Sequence, residues 1–281
     1  MRATPRTRLE RVVLAIAIAL LLAWSIAPAA WQALTAVKPD AQLTRVPLVY
    51  LPHPPVWTHV SALLRRKPFG AYLWNSARIG ALATLLCLAC ALPAASVIAR
   101  QRGRARIGPM LVLLGASLFP PILLLFPLYE GVRALGWINL DAALVVPYAA
   151  LNLPLATWVL EAGVRVIPAE LDAAAELDGL GALGRIRHLH VPLAAPSIAT
   201  AAILVFMSCW NEFLLALTFM TRDAAKTVTA GIASVSGASF YEIPWGQLAA
   251  AIVLATLPLV ALVLACEGRI RSGLTRGAVS E

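Results

Sequence analysis

Six stretches of this chain carry no charged side chain: Val12 to Val37, Ile79 to Ala99, Ile107 to Tyr129, Ala142 to Leu160, Val191 to Asn211 with its continuation Phe213 to Thr221, and Ile243 to Cys266. About 20 helical residues cross the ~30 Å hydrocarbon core of a bilayer, and an ionised group inside it is costly. None of the runs alternates apolar and polar residues as a barrel strand does, and in lipid each backbone amide needs an internal partner. The expected fold is therefore all-α and polytopic. It has six transmembrane helices, at about 12–35, 77–99, 107–130, 142–163, 197–220 and 244–266, in one domain covering 1–281. Composition agrees: 60% of residues are hydrophobic and 13% charged, against about 45–50% and about 25% in a soluble domain. An ordinary soluble enzyme, a disordered chain and a disulfide scaffold are excluded, the last because there are only four cysteines.

The first run follows Arg2, Arg6, Arg8 and Arg11, and Ala27-Pro28-Ala29 imitates a signal-peptide cleavage site. A secretory apolar region is about 7–15 residues long, shorter than Val12 to Val37, so an uncleaved first span is expected. Positively charged flanks remain in the cytoplasm. With the N-terminus inside, the inner segments hold 14 of the 23 basic residues, including the dense loop of Arg100, Arg102, Arg104 and Arg106. Both termini are thus expected in the cytoplasm of a bacterium whose inner membrane the chain spans. Topology and anionic membrane lipid account for the net charge of +9, and no nucleic-acid partner is implied.

Two loops stand out. Outside, Leu51-Pro52-His53-Pro54-Pro55 is followed by Val56, Val60 and Leu63 at helical spacing, which predicts a short surface helix that either anchors the loop or receives an extracytoplasmic partner. Inside, the 165–196 loop contains Pro168, then Glu170, Asp172, Ala173, Ala174, Ala175, Glu176, Asp178 and Gly179, and ends at Leu189-His190-Val191-Pro192. Pro168 suits a first helical position, Glu170 and Asp172 suit the positive end of a helix dipole, and Gly179 suits the residue beyond the end. Positions 170, 173, 174 and 177 share a face on which two alanines permit close approach. Such a helix either packs on its own bundle or docks on a cytoplasmic partner.

The spacing of Ala173-Ala174-Ala175, Gly179 and Leu189-His190-Val191-Pro192 resembles the EAA motif of importer-type ABC transporter permeases. Further segments resemble the carbohydrate-importer subfamily, in particular its maltose- and trehalose-type second permease: Asn75-Ser76, Pro168-Ala169-Glu170-Leu171, Trp210-Asn211-Glu212-Phe213, Lys226-Thr227 and Gly273 to Val279. The resemblance implies the type I importer fold, with a coupling helix between the fourth and fifth spans. It also implies a second related permease, a dimer of ATP-binding cassette ATPases and an extracytoplasmic sugar-binding protein or lipoprotein as partners. ATP and Mg2+ would be bound by the ATPase, with no cofactor in this chain. Glu170, Asp172, Ala173, Ala174, Ala175, Glu176, Asp178, Gly179, Leu189 and Pro192 would be the ATPase-coupling residues, and the cargo a disaccharide such as trehalose or a maltose-like oligosaccharide, or a glycerol-phosphate-type solute.

Two positions depart from the pattern. The leading Glu of the motif is Ala173, so its contact is either absent or made by Asp172 or Glu176, and the tail ends Val279-Ser280-Glu281 where the family usually has Val-Lys-Gly. The residues themselves agree that the engine lies elsewhere. A Walker A site needs glycine-rich amides around phosphate before Lys-Ser/Thr, and Lys226-Thr227, preceded by two alanines, is the nearest imitation.

Within the spans, Glu212 is the clearest carboxylate, with Asn211 and Trp210 beside it, and is a candidate for the solute pathway, as a sugar contact, a gate or an interhelical tie. Cys87 and Cys90 form a CxxC inside a span without a second pair, so metal and redox chemistry are not expected. His188 and His190 are expected to be loop residues. A self-sufficient secondary carrier or channel is the competing class, and it would normally show paired intramembrane charges and repeated halves.

Overall fold

The computed structural model describes residues 8–235 and 243–277, and every regular element among them is helical. Arg2, Arg6 and the tail residues Ala278 to Glu281 lie outside them. The helices are α1 (Arg8–Ala36), α2 (Thr58–Arg66), α3 (Phe69–Ala99), α4 (Arg104–Leu118), α5 (Leu125–Ala134), α6 (Ala142–Arg165), α7 (Ala169–Leu177), α8 (Ala182–Leu193), α9 (Ala195–Asn211), α10 (Leu214–Phe219), α11 (Val228–Ala233) and α12 (Trp245–Gly277). Four of these, α1, α3, α6 and α12, contain stretches long and apolar enough to cross a membrane. Two bent pairs raise the number to six if each is one span: α4 with Pro121–Ala134, bent by 83°, and α8 with α9, bent by 85°.

The chain divides into two compact units. In the smaller, residues 1–67 and 234–257, the expected outer helix is α2. It packs inward: Leu63 and His59 are buried, His59 Nε2 lies 2.8 Å from the Lys38 carbonyl, and the His59 ring closes on Gly246. Lys38 is itself buried, its ammonium 4.1 Å from the Trp31 ring centre, an arrangement in which the aromatic face replaces lost water.

The larger unit, residues 68–233 and 258–281, is built on α3, α6 and α9. Ile79, Ala83, Cys87, Ala91 and Ala95 recur every fourth residue on α3, and all are buried. On α9 the buried stripe is Ala201, Val205 and Cys209. In lipid, where hydrophobicity gives helices little reason to associate, small residues at this spacing let backbones come close enough for dispersion to act. Cys87 and Cys209 are free thiols within this packing, and Cys90 is exposed. At one end of α3, Asn75 Nδ2 donates to the carbonyls of Ala224 (2.8 Å) and Lys226 (3.0 Å), and Ser76 Oγ accepts the Val228 amide at 2.8 Å. The Asn-Ser pair therefore holds the 223–228 turn.

Helix boundaries depart from expectation where proline acts. The second span starts at Phe69, several residues earlier than the charge pattern indicates, because Arg78 reaches Asp141 and is accommodated within the helix. The third is sharply bent at Phe119 and Pro120. Both precede a proline and both are extended (ψ 126° and 119°), since the following ring excludes the helical conformation. The fifth breaks after Asn211, with α10 as a separate piece.

Close packing generates a prediction. A Cβ on Gly163 of α6 would collide with the Ser197 side chain of α9, whereas on Gly115 it would meet open space. Gly163→Ala should destabilise the protein by about 1–3 kcal/mol through overpacking. Gly115→Ala should be neutral or stabilise by up to ~1 kcal/mol. Denaturant unfolding of the detergent-solubilised chain measures both.

Candidate functional site: the coupling loop and the break in the fifth span

The 165–196 loop folds as helix, turn, helix. Pro168 is extended and caps α7, one residue before the helical position expected for it, leaving Ala169 as the first helical residue. The helix ends in a Schellman arrangement: the Leu180 amide donates to the Ala175 carbonyl and the Gly179 amide to that of Glu176, both near 3 Å. This closure requires a left-handed residue, and Gly179 has φ +84°. Glu170, Ala173, Ala174 and Leu177 are all exposed, on the shared face that their spacing predicts. Leu177 is 89% exposed and Leu183, on α8, 76%, so a small apolar surface stands open.

Asp172 is not on that surface. The expectation that it replaces the missing Glu of position 173 is corrected: it is 9% exposed and turned to the bundle, where Arg100 Nη2 is 2.5 Å from its Oδ2 and His190 Nε2 is 2.8 Å from its Oδ1. Two positions on a helix separate it from the exposed 170/173/174/177 face, which is enough to reverse its direction. Glu176 remains exposed but is paired with Arg185 at 2.7 Å. Glu170 and Asp178 are exposed, and Glu170 shares the face of Ala173.

His188 and His190 are likewise corrected from loop to helix. They belong to α8, whose turn Ile186–His190 is π-helical. Pro192 lacks an N–H and crowds the carbonyl four residues before it, which the chain relieves by widening that turn. His188 is exposed, while His190 is 3% exposed and touches Ser96 Oγ with Nδ1 at 2.9 Å. The sequence hint to its role was a histidine set between the apolar Leu189 and Val191. A second group missed in the sequence is Glu161, 2% exposed and held by Arg106 (Nε to Oε1 2.8 Å), because the charge-free run stops one residue earlier and Glu161 reads as a flank.

At the fifth span, Glu212 takes an extended conformation (ψ 132°) and joins α9 to α10. Its Oε1 accepts the Leu215 amide at 2.8 Å, and its Oε2 accepts the Ala216 amide at 3.1 Å and the Tyr148 hydroxyl at 2.6 Å. The side chain thus supplies partners to the open amides of α10. Beside it lies a cavity of about 420 Å³ whose polar lining includes Tyr148, Asn152, Ser208 and Glu212. Trp210 and Asn211 are placed elsewhere. Trp210 is buried against Phe206 with ring centres 5.8 Å apart, and Asn211 is exposed, its Nδ2 bonded to the Met207 carbonyl. Aromatic contact with the cavity comes instead from Tyr148 and Phe213.

This arrangement, a helical membrane body presenting a short exposed helix, is that of an importer permease. Residues 91–274 match the family described as binding-protein-dependent transport system inner membrane component, and the chain belongs to that family. It is 35% identical over 264 residues to the sulfoquinovosyl glycerol transport system permease SmoH of Agrobacterium fabrum (94% of this chain, 92% of that protein). It is 40% identical over 211 residues to the trehalose/maltose permease MalG of Thermococcus litoralis (75% and 76%), and 35% over 263 residues to the trehalose permease SugB of Mycobacterium tuberculosis (92% and 94%). In fold it is similar to a chain of a bacterial ABC transporter importing the polysaccharide alginate, with TM-score 0.78 and 17% identity over 95% of this chain and 99% of that one. The chain is a multi-pass membrane transport subunit, and ATP hydrolysis in such systems belongs to separate subunits.

Two outcomes follow. Glu212→Ala should cost at least ~1 kcal/mol by opening the amides of α10, and Glu212→Gln clearly less because its carbonyl still accepts. Gly179→Val should cost about 1–2 kcal/mol for the left-handed residue, read as faster amide hydrogen exchange in α7.

Proposed function

We propose that this chain is one of two permeases of an ATP-driven importer that carries a sugar or glycoside into the cytoplasm. The observation that carries the reading is α7: a helix of nine residues, too short to be stable alone, held in place with its Glu170, Ala173, Ala174 and Leu177 face open. On this reading that face seats in a groove of the ATPase, with the exposed Leu177 and Leu183 as apolar anchors and Glu170 as the acid that replaces the one absent at position 173. Closure of the ATPase dimer on ATP would then push α7 and switch the bundle between inward- and outward-facing states by rigid-body motion. The basic residues Arg100, Arg106, Arg165, Arg185 and Arg187 flank this end, which supports a cytoplasmic location for it and for both termini.

Tyr148, Asn152, Ser208 and Glu212 would face the solute as it passes, carboxylate and amide accepting and donating to hydroxyls while Tyr148 and Phe213 offer aromatic surface. A sugar or glycoside is supported by the relatives named above. An extracytoplasmic binding protein would deliver it.

The test is the assembly reconstituted in liposomes with a cognate ATPase, second permease and binding protein. One solute from a panel of disaccharides and glycosides should stimulate ATP hydrolysis, and this chain alone should accumulate none. Uphill uptake by the chain alone would refute the reading. Ala174→Trp should abolish co-purification of the ATPase, and Glu170→Lys should weaken its binding by about 5- to 150-fold, the usual size of a site-to-site coupling.

A further inference from the structure

Two connections join α7 to the rest of the chain: Val166 to Pro168 before it, and Asp178 to Gly181 after it. Neither is regular helix, and a push on α7 delivered through them alone would be absorbed by backbone rotation. What ties α7 to the bundle is charge. Arg100, the residue capping the end of α3, donates from Nη1 to the Ile167 carbonyl at 3.0 Å and sets Nη2 2.5 Å from Asp172 Oδ2. The other Asp172 oxygen meets His190 Nε2 at 2.8 Å, and His190 Nδ1 meets Ser96 Oγ at 2.9 Å, one turn before Arg100 on α3. A carboxylate only accepts, so Nε2 carries the imidazole hydrogen toward Asp172 and Nδ1 accepts the Ser96 hydroxyl. The circuit closes from α3 through α7 and α8 back to α3.

The circuit is shielded from water, with 12% of the Asp172 side chain and 4% of that of His190 exposed. The His190–Asp172 hydrogen bond is stronger and more directional there than at a surface, while Arg100 and Asp172 are held by charge without a hydrogen bond between Nη2 and Oδ2. A cavity of about 240 Å³ opens beside the four side chains, so directional bonding rather than tight packing holds their geometry. Apolar contact would let α7 slide along the bundle, whereas a carboxylate bonded from two sides does not permit it.

We propose that Asp172, Arg100 and His190 are positioning residues that make α7 move as one body with α3 and α8, so that displacement applied to the exposed face of α7 reaches the spans. This rests on α7 being the docking helix, and the test separates the two. In the reconstituted assembly, Asp172→Asn should leave the ATPase bound at the level of the unmodified chain, since the outer face is intact, while solute imported per ATP hydrolysed falls at least about fivefold. Asp172→Glu, which keeps the charge, should restore most of that ratio, and Asp172→Asn with Arg100→Gln should lose less than the sum of the two single losses. If the Asp172→Asn chain does not fold, the ratio is read in His190→Gln, which removes one arm only and should lower it. An unchanged ratio in the assembled variant overturns the proposal. So does loss of the ATPase from a correctly folded Asp172→Asn chain, which would make Asp172 part of the docking surface. Failure of the unmodified chain to bind the ATPase would instead sink the docking reading itself.

Discussion

An amide or carbonyl without a partner in hydrocarbon costs several kcal/mol, and this constraint governs where the chain can stop being helical. Each departure from continuous helix is accompanied by a side chain or turn that answers for the freed backbone. After Phe119 the imino nitrogens of Pro120 and Pro121 remove two donors as the helix ends. At Glu212 no proline is present, and the carboxylate accepts the Leu215 and Ala216 amides while the Thr229 hydroxyl donates to its carbonyl at 2.6 Å. A break of this kind places a charged group beside a cavity in the body of the bundle, where an unbroken helix would have offered only side chains on its flank.

The same accounting explains the distribution of charge. Buried carboxylates in the larger unit each have a named cation or donor: Glu161 has Arg106, and Asp172 has Arg100 and His190. The partners come from different elements, so each pair is also a cross-link, Arg106 joining α4 to α6 and Arg100 joining α3 to α7. Removing one member would strand the other in a poor dielectric, which gives these sites a stronger hold on helix positions than the apolar stripes between them. The docking surface is built differently. On the proposed docking face, Ala173, Ala174 and Leu177 make a shallow, exposed surface with no buried charge.

Family membership and the main features of the coupling loop were legible from residues: the start of α7 at Pro168, its end at Gly179, and the open face 170/173/174/177 all follow from local rules of capping and helical period. Asp172 and His190 were misjudged for a common reason. Their roles depend on a contact with each other and with Arg100 across 18 and 72 positions of chain (190 minus 172, and 172 minus 100), and no local rule reports such a meeting. Glu212 was noticed because a carboxylate between apolar runs is conspicuous, but its neighbours in sequence, Trp210 and Asn211, turned out to point away from the cavity. Helical period turns adjacent residues by about 100°, so proximity in sequence is a poor guide to a shared lining.

From the amino-acid order alone came the membrane body, its helical character, the short helix over 169–177 and the need for an engine on another chain, because these rest on hydrophobicity, periodicity and the chemistry of single residues. Tertiary structure decided the sharp bend within the expected third span, the interruption of the fifth after Asn211, the cavity beside Tyr148 and Glu212, and the inward turn of Asp172. The physical reason is range: hydrophobic burial and capping act within a few residues, whereas a buried charge is stable only beside a partner that the fold must bring from elsewhere in the chain.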